Sequence, residues 1–398
     1  MGNGVHSLGI SDGHATMSSI VLLHLSDLHF GPDGDPVAQT RKPGQEVHDP
    51  DLIRFLSKRI RRLRAKCLAE DTLFHVVCTG DLTGTGTAQE LRRALRFLRT
   101  DHSIGEEGDE QAAEALAHGE YSGLGLDPSE FTLVPGNHDH WGGPASWPNL
   151  PVHNPGLLDL LDSNKLTDLM RGVNWDGKLA DFFVEQKPLV VGGLTLRICG
   201  MDSSSGWRGA LTGVSARPIQ SGRLSMQQVE RLEKWGEAQG QHAGQVVNVV
   251  LHHHDLEPWP ENDDLLQRLY AARKPLTRRP WPLEPISRHR LIERCQKQKV
   301  SLVLSGHQHD EPALEERESS SQPNLAGARV SKVWEAVAPT GGVFVDELHP
   351  APGFLLHHFE LEGSQVLWNC AQYTYRRSAR GFDTVPQMLT PVRFGGDF

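Results

Sequence analysis

Apolar residues along the chain come in short runs bounded by turn-forming residues. They are Ser19 to Leu25, Leu73 to Thr79, Phe131 to Val134, Leu189 to Cys199, Val246 to Leu251, Val300 to Leu304, Val333 to Ala338, Phe354 to Leu361 and Gln365 to Tyr373. Runs of this length, rich in Val, Leu and Ile and without strict polar alternation, predict strands buried on both faces. Between several of them the apolar period lengthens to that of a helix. Leu52, Phe55, Leu56, Ile60, Leu63 and Cys67 share one helical face, with Arg54, Lys58, Arg61 and Arg62 outside it. No aromatic residue interleaves with those charges, so the basic side reads as a solvated helix face rather than a nucleic-acid track. Ser225 followed by Gln228 forms a capping box that opens a helix carrying Val229, Leu232 and Trp235.

Strands alternating with helices predict an α/β fold, organised as one domain over residues 19–373. A flexible leader (1–18) is expected before it and a tail (374–398) after it. Stretches at about 101–129, 141–187, 255–290 and 311–330 fit no core element and read as insertions. A chain of 398 residues can bury a large core, and a formal charge of -10 argues against a generally basic nucleic-acid binder. Five cysteines, odd in number and with no CxxC pair, fit reduced thiols in a cytoplasmic protein. The first residues lack a basic start and an apolar stretch, so no secretory signal is expected, and His6 stands where a myristoylation signal needs Ser or Thr. No apolar run approaches the length of a membrane span.

The candidate chemistry lies just past the strands. Five runs end in metal-binding side chains: SDLHFG supplies Asp27 and His29, GDLTG Asp81, PGNHDH Asn137, His138 and Asp139, HHHD His252 to His254, and SGHQHD His307 and His309. Singly, each is an ordinary turn, cap or satisfied histidine. In an α/β sheet, however, residues past the strand ends gather along one edge, so the five sets are expected to converge. Carboxylate, imidazole and one amide, without thiolate, suit Mn, Fe or Zn, and there are too many imidazoles for a Ca site. The ligand set exceeds the needs of one ion and fits two sharing a carboxylate, an arrangement used in phosphate chemistry.

The order DxH, GD, GNHD, H, GHxH resembles the calcineurin-like metallophosphoesterases over roughly Ile20 to Asp310, with CGMDSS and SGRLSMQQVERLEKW as weaker echoes. The resemblance implies an αββα four-layer sandwich, two mixed β-sheets flanked by helices, with cap-like insertions. It further implies that Asp27, His29 and His309 hold one metal, that Asn137, His252 and His307 hold the other, and that Asp81 bridges them. His138 would serve as the acid toward the leaving alkoxide, its ring oriented by Asp139. Family members show Pro soon after the fourth-motif ligand, whereas this chain reads His252-His253-His254-Asp255. His252, directly after the strand, is the expected ligand, with His253 the alternative register.

Two divalent or mixed-valence ions (Mn, Fe or Zn) are thus the expected cofactors, activating water for in-line attack on phosphorus. SDLHFG with GDLTG is most similar to the bacterial cyclic-nucleotide phosphodiesterase branch, which makes a small soluble diester the expected substrate. A phosphomonoesterase is an alternative, as is a nuclease using the basic segment Arg273 to Arg290. A non-catalytic interaction module is another, against which the extra, non-ligand His138 counts. His140 and Trp141 are further candidates for lining the cleft.

Overall fold

A computed structural model of the chain describes residues 19–30, 47–48, 50–84, 88–99, 123–140, 182–204, 222–238, 244–257, 283, 285–307, 312–317, 332–344, 351–379, 381–383, 386–389 and 392–394. In chain order the strands are β1 (Ser19–Leu25), β2 (Val47–His48), β3 (Leu73–Thr79), β4 (Phe131–Val134), β5 (Phe183–Glu185), β6 (Leu189–Val191), β7 (Leu194–Met201), β8 (Gln245–Leu251), β9 (Val300–Ser305), β10 (Ala313–Arg317), β11 (Val333–Val337), β12 (Val343–Phe344), β13 (Gly353–Glu362), β14 (Gln365–Arg376), β15 (Gly381–Phe382), β16 (Gln387–Met388) and β17 (Val392–Phe394). The helices are α1 (Pro50–Ala69), α2 (Ala88–Leu98), α3 (Asn137–His140), α4 (Met226–Glu237) and α5 (Pro285–Lys297).

Two mixed sheets result. One has the order β15-β14-β13-β1-β3-β4, with β16 and β17 also on β14, and is parallel from β1 through β4. The other has the order β10-β11-β9-β8-β7-β5, with β6 also on β7, and is parallel from β7 through β11. β1 shows why its run is apolar throughout. Ile20 and Leu22 enter a core shared by both sheets, while Val21, Leu23 and Leu25 pack on the other side with Leu56 and Ile60 of α1 and Leu95 of α2. On the far side of the second sheet, Val229, Leu232 and Trp235 of α4 meet Leu291, Ile292 and Cys295 of α5. The layers are therefore helix, sheet, sheet, helix, as the resemblance implies. The capping box at Ser225 forms, with Gln228 N donating to Ser225 Oγ and Ser225 N donating to Gln228 Oε1.

Some boundaries differ from expectation. The run Leu189 to Cys199 is an antiparallel hairpin, β6 and β7, turned at Gly192-Gly193, where both residues take positive φ. β14 continues to Arg376, and β15 to β17 add to it, so residues placed in a tail after Tyr373 belong to the first sheet. β5, β10 and the start of α5 lie inside stretches read as insertions; most of the remaining insertion residues, and the leader, lie outside the described residues. No described helix is long and apolar enough to cross a membrane.

Candidate metal centre

Two ligand-bearing loops continue β1 and β3 side by side. Asp27 N donates to Gly80 O, His29 N to Asp81 O, Phe30 N to Leu82 O and Gly84 N to Phe30 O, at 2.9 to 3.1 Å. These bonds carry Asp27, His29 and Asp81 past the sheet edge together. The glycines of the motifs make room for them: a Cβ at Gly136 would strike the Asp81 carboxylate, and Gly80 combines a φ of 102° with close approach to the His253 ring.

The carboxylates divide their oxygens. Asp27 Oδ2 accepts from His307 N (3.0 Å), while Oδ1 lies 3.8 Å from His29 Nε2. Asp81 Oδ1 accepts from His138 N (2.8 Å), while Oδ2 lies 3.9 Å from His29 Nε2 and 3.2 Å from His253 Nε2. Asp81 Oδ2 thus stands between imidazoles from two different strand ends, where a bridging carboxylate belongs.

His253 carries the clearest signature of a cation site. Its Nδ1 donates to the Thr79 carbonyl (2.7 Å), which turns Nε2 inward. There Nε2 meets Asn137 Oδ1 at 3.0 Å, His307 Nδ1 at 3.1 Å and Asp81 Oδ2 at 3.2 Å. One ring nitrogen cannot hydrogen-bond well to two oxygens and a second imidazole nitrogen at once, whereas a cation among them can serve all of them. Burial disfavours the His253 imidazolium, but Asp81 beside it overcomes this and raises its pKa to about 9. Burial also acts to raise Asp81, yet the rings of His253 and His138 hold it below the usual carboxylate range. Among the described residues, His29 with Asp81 and His138, and Asp81 with His253 and His307, form groups that could hold a metal ion.

The residue beside Asp81 is thus His253, and the expectation of His252 is corrected. The alternation that puts Leu251 in the core between the sheets returns at His253 and turns His252 away. His252 is fully buried, its ring nitrogens have no hydrogen-bond partner, and burial, with His253 adding, lowers its pKa to about 3. Asp27, His29, Asp81, Asn137 and His307 converge; His309 lies outside the described residues, as do Trp141 and the side chain of His140.

His138 differs from these groups in being only half-buried. Its Nδ1 donates to the Gly84 carbonyl (3.0 Å), and its ring packs edge-on to His29 at 4.8 Å between centroids. The expectation that Asp139 orients this ring is also corrected. Asp139 Oδ1 accepts from Thr83 N and Thr83 Oγ1, and Oδ2 from Leu82 N and Gly136 N. Asp139 therefore ties the GDLTG loop to the PGNHD turn. The sequence reading also missed Ser203 in CGMDSS. Its hydroxyl accepts from the amides of His253 and His254 and donates to His254 Nδ1 (2.8 Å). Only the weaker Asp-Ser echo pointed there, and nothing in the sequence marks the Thr79 and Gly84 carbonyls.

The model of a family described as calcineurin-like phosphoesterase matches residues 20–311, well over half of the chain. The chain belongs to this family. No curated protein matches it. Solved structures similar to it include a purple acid phosphatase from seeds of yellow lupin (Lupinus luteus), at 16% identity and a TM-score of 0.46, with 96% of this chain and 55% of that one covered. This chain therefore spans little more than half the length of that protein. GAP50 of Plasmodium, the anchor in the inner membrane complex, is 11% identical with a TM-score of 0.42, covering 96% of this chain and 90% of its own. A Vps29 variant from Entamoeba histolytica is 11% identical with a TM-score of 0.28, covering 94% and 99%.

Proposed function

We propose that the protein hydrolyses a small phosphodiester at a binuclear metal centre. The convergence of two oxygens and a second ring nitrogen on His253 Nε2 carries the metal reading. Asn137, His253 and His307 would hold one ion, Asp27, His29 and His309 the other, and Asp81 Oδ2 would serve both. Mixed N/O donors of this kind suit Mn, Fe or Zn. When bound, such a pair supplies the Lewis acidity that activates water and offsets phosphoryl charge.

The chain's own residues do the rest. His138, more open than the groups around it, keeps Nδ1–H on the Gly84 carbonyl and presents Nε2 for a proton to be delivered to the leaving alkoxide. Asp139 holds the two loops that carry Asp81 and His138, and Thr79 and Ser203 fix the ring of His253 and its backbone. The preference for a diester rests on SDLHFG with GDLTG, the motif style of cyclic-nucleotide phosphodiesterases. A cytoplasmic setting rests on five free, buried cysteines.

The test is turnover of bis-nitrophenyl phosphate, nitrophenyl phosphate, cyclic AMP and a short single-stranded DNA, with added Mn and with chelator. Chelator-sensitive hydrolysis favouring the diesters is expected. A preference for the monoester points to a phosphomonoesterase, salt-sensitive DNA cleavage to a nuclease, and no turnover with any metal to an interaction module.

A further inference from the structure

β11 carries no residue that the motifs single out, yet it contributes a fully buried carboxylate, Glu335. Glu335 Oε1 accepts from the Leu256 amide and from the Ser305 hydroxyl, both at 2.8 Å. Oε2 accepts from Arg317 Nε at 2.8 Å and lies equally close to Nη2. Burial acts to raise the carboxyl's pKa and the Arg317 guanidinium opposes it. Since donors surround it on both oxygens, the ionised form is the one this environment accommodates.

Its partners lie close to the metal centre. Leu256 stands three residues after His253, and Ser305 two residues before His307. The registered β8–β9 ladder ends at Leu251 opposite Leu304, and the bonds His252 N to Leu304 O and Gly306 N to His253 O extend it. Beyond that point Glu335 ties the two segments through a third strand. Arg288 Nε adds a bond to the Leu256 carbonyl (2.6 Å), so this peptide is held at both its amide and its carbonyl. A buried ion pair is a poor way to stabilise a core, because well-packed apolar residues often do better. Its placement against two histidine-bearing segments supplies another reason for it.

We propose that Glu335 is a positioning residue of the metal centre, its carboxylate setting the segment of His253 against that of His307 and thereby the 3.1 Å approach of their rings. The consequence for metal binding rests on the function proposed above; the anchoring does not.

The experiment compares the full-length protein with Glu335→Met/Arg317→Met, which replaces the ion pair by apolar side chains, and with Ser305→Ala, which removes one bond to Oε1. Amide hydrogen exchange of the metal-free proteins, urea stability and Mn affinity by equilibrium dialysis are measured on each. The double variant is expected to stay folded with some loss of urea stability, since the Leu256 amide and Ser305 hydroxyl lose their acceptor, while exchange accelerates selectively at 253–256 and 305–307 and Mn affinity falls by roughly tenfold to a hundredfold, the usual range for a lost supporting partner. Ser305→Ala is expected to accelerate exchange at 305–307 alone, with a smaller loss of affinity, and it decides the matter should the double variant fail to fold. Unchanged exchange in the variants, or accelerated exchange with unchanged Mn affinity, overturns the proposal. A wild-type protein that binds no Mn refutes the metal reading instead, while exchange still decides the anchor.

Discussion

Mild acid should destabilise this protein through histidines buried as neutral rings within its first sheet. His75 on β3 and His357 on β13 are fully buried, and burial lowers each pKa to about 3, against an ordinary value of 6.5. The bonding of His357 agrees, since the indole N–H of Trp368 donates to its Nδ1, an atom that can accept only in a neutral ring. Because each folded pKa is depressed, the unfolded chain binds more protons below pH 6.5. The stability these rings contribute is complete above that pH and is lost as pH falls toward 3. Between pH 6.5 and 5 each costs about 2 kcal/mol, so together they remove roughly 4 kcal/mol. That is a large part of a typical domain's stability. His253 shifts the other way, and what it contributes is fully present below pH 6.5, so it does not confuse this window. Urea unfolding at pH 7, 6 and 5 in chelator measures the slope. His75→Leu, which removes one titrating ring, should recover about 2 kcal/mol of the loss at pH 5 relative to pH 7. An unaltered slope in that variant would refute the reasoning.

Three further outcomes concern the metal centre. Asp81→Asn, which weakens the one carboxylate facing both imidazoles, should abolish Mn occupancy in equilibrium dialysis and turnover with it. His138→Ala should keep the metal stoichiometry of the wild type while losing about a hundredfold or more in rate on diesters with poor leaving groups, and much less on nitrophenyl esters; equal losses on both would exclude the acid role. His253→Leu should lose Mn at the site it shares with Asn137 and His307, whereas His252→Leu should bind Mn like wild type and be at least as stable, since it removes a buried ring with no hydrogen-bond partner.

Much of the architecture was legible because burial on two faces leaves an uninterrupted apolar run. The runs read for β1, β3 and β4 coincide with the strands residue for residue. β10 was not legible, since Ala313–Arg317 is an edge strand with Glu315, Glu316 and Arg317 in it, and edge strands carry charge to discourage further pairing. β15 to β17 span two or three residues each, too short for a period to register. At the candidate metal centre, the motifs named loops that the fold brings together but could not fix the parity of His252-His253-His254. Three identical residues give no contrast between inward and outward positions, and only the shared side of Leu251 and His253 resolves it. Asp139 misled for a related reason. Adjacency in sequence suggested contact with His138, but its carboxylate turns to backbone amides of a loop more than fifty residues earlier.

The backbone carries a signal that no side-chain pattern could have given. Among the described non-glycine residues, positive φ occurs at Asp27, His29, Asp71, Asp81, Lys299 and His307, and four of these six belong to the candidate metal centre. The left-handed region costs an L-residue about 1 to 2 kcal/mol, so its concentration here requires opposing interactions. They are visible chiefly in bonds to the backbone of the strained residues, with the Asp27 carboxylate adding one. Asp27 N is held by Gly80 O, His29 N by Asp81 O and His307 N by Asp27 Oδ2, while Thr340 Oγ1 and Gly342 N both donate to Asp27 O. The strain bends each strand end sharply as it leaves its sheet, aiming side chains from separate loops at common points. Relaxed extended backbone would carry the same residues past one another. Convergence of Asp27, His29, Asp81 and His307 is therefore a property of the loops before it is a property of the ligands, and the loops' mutual hydrogen bonds make it possible.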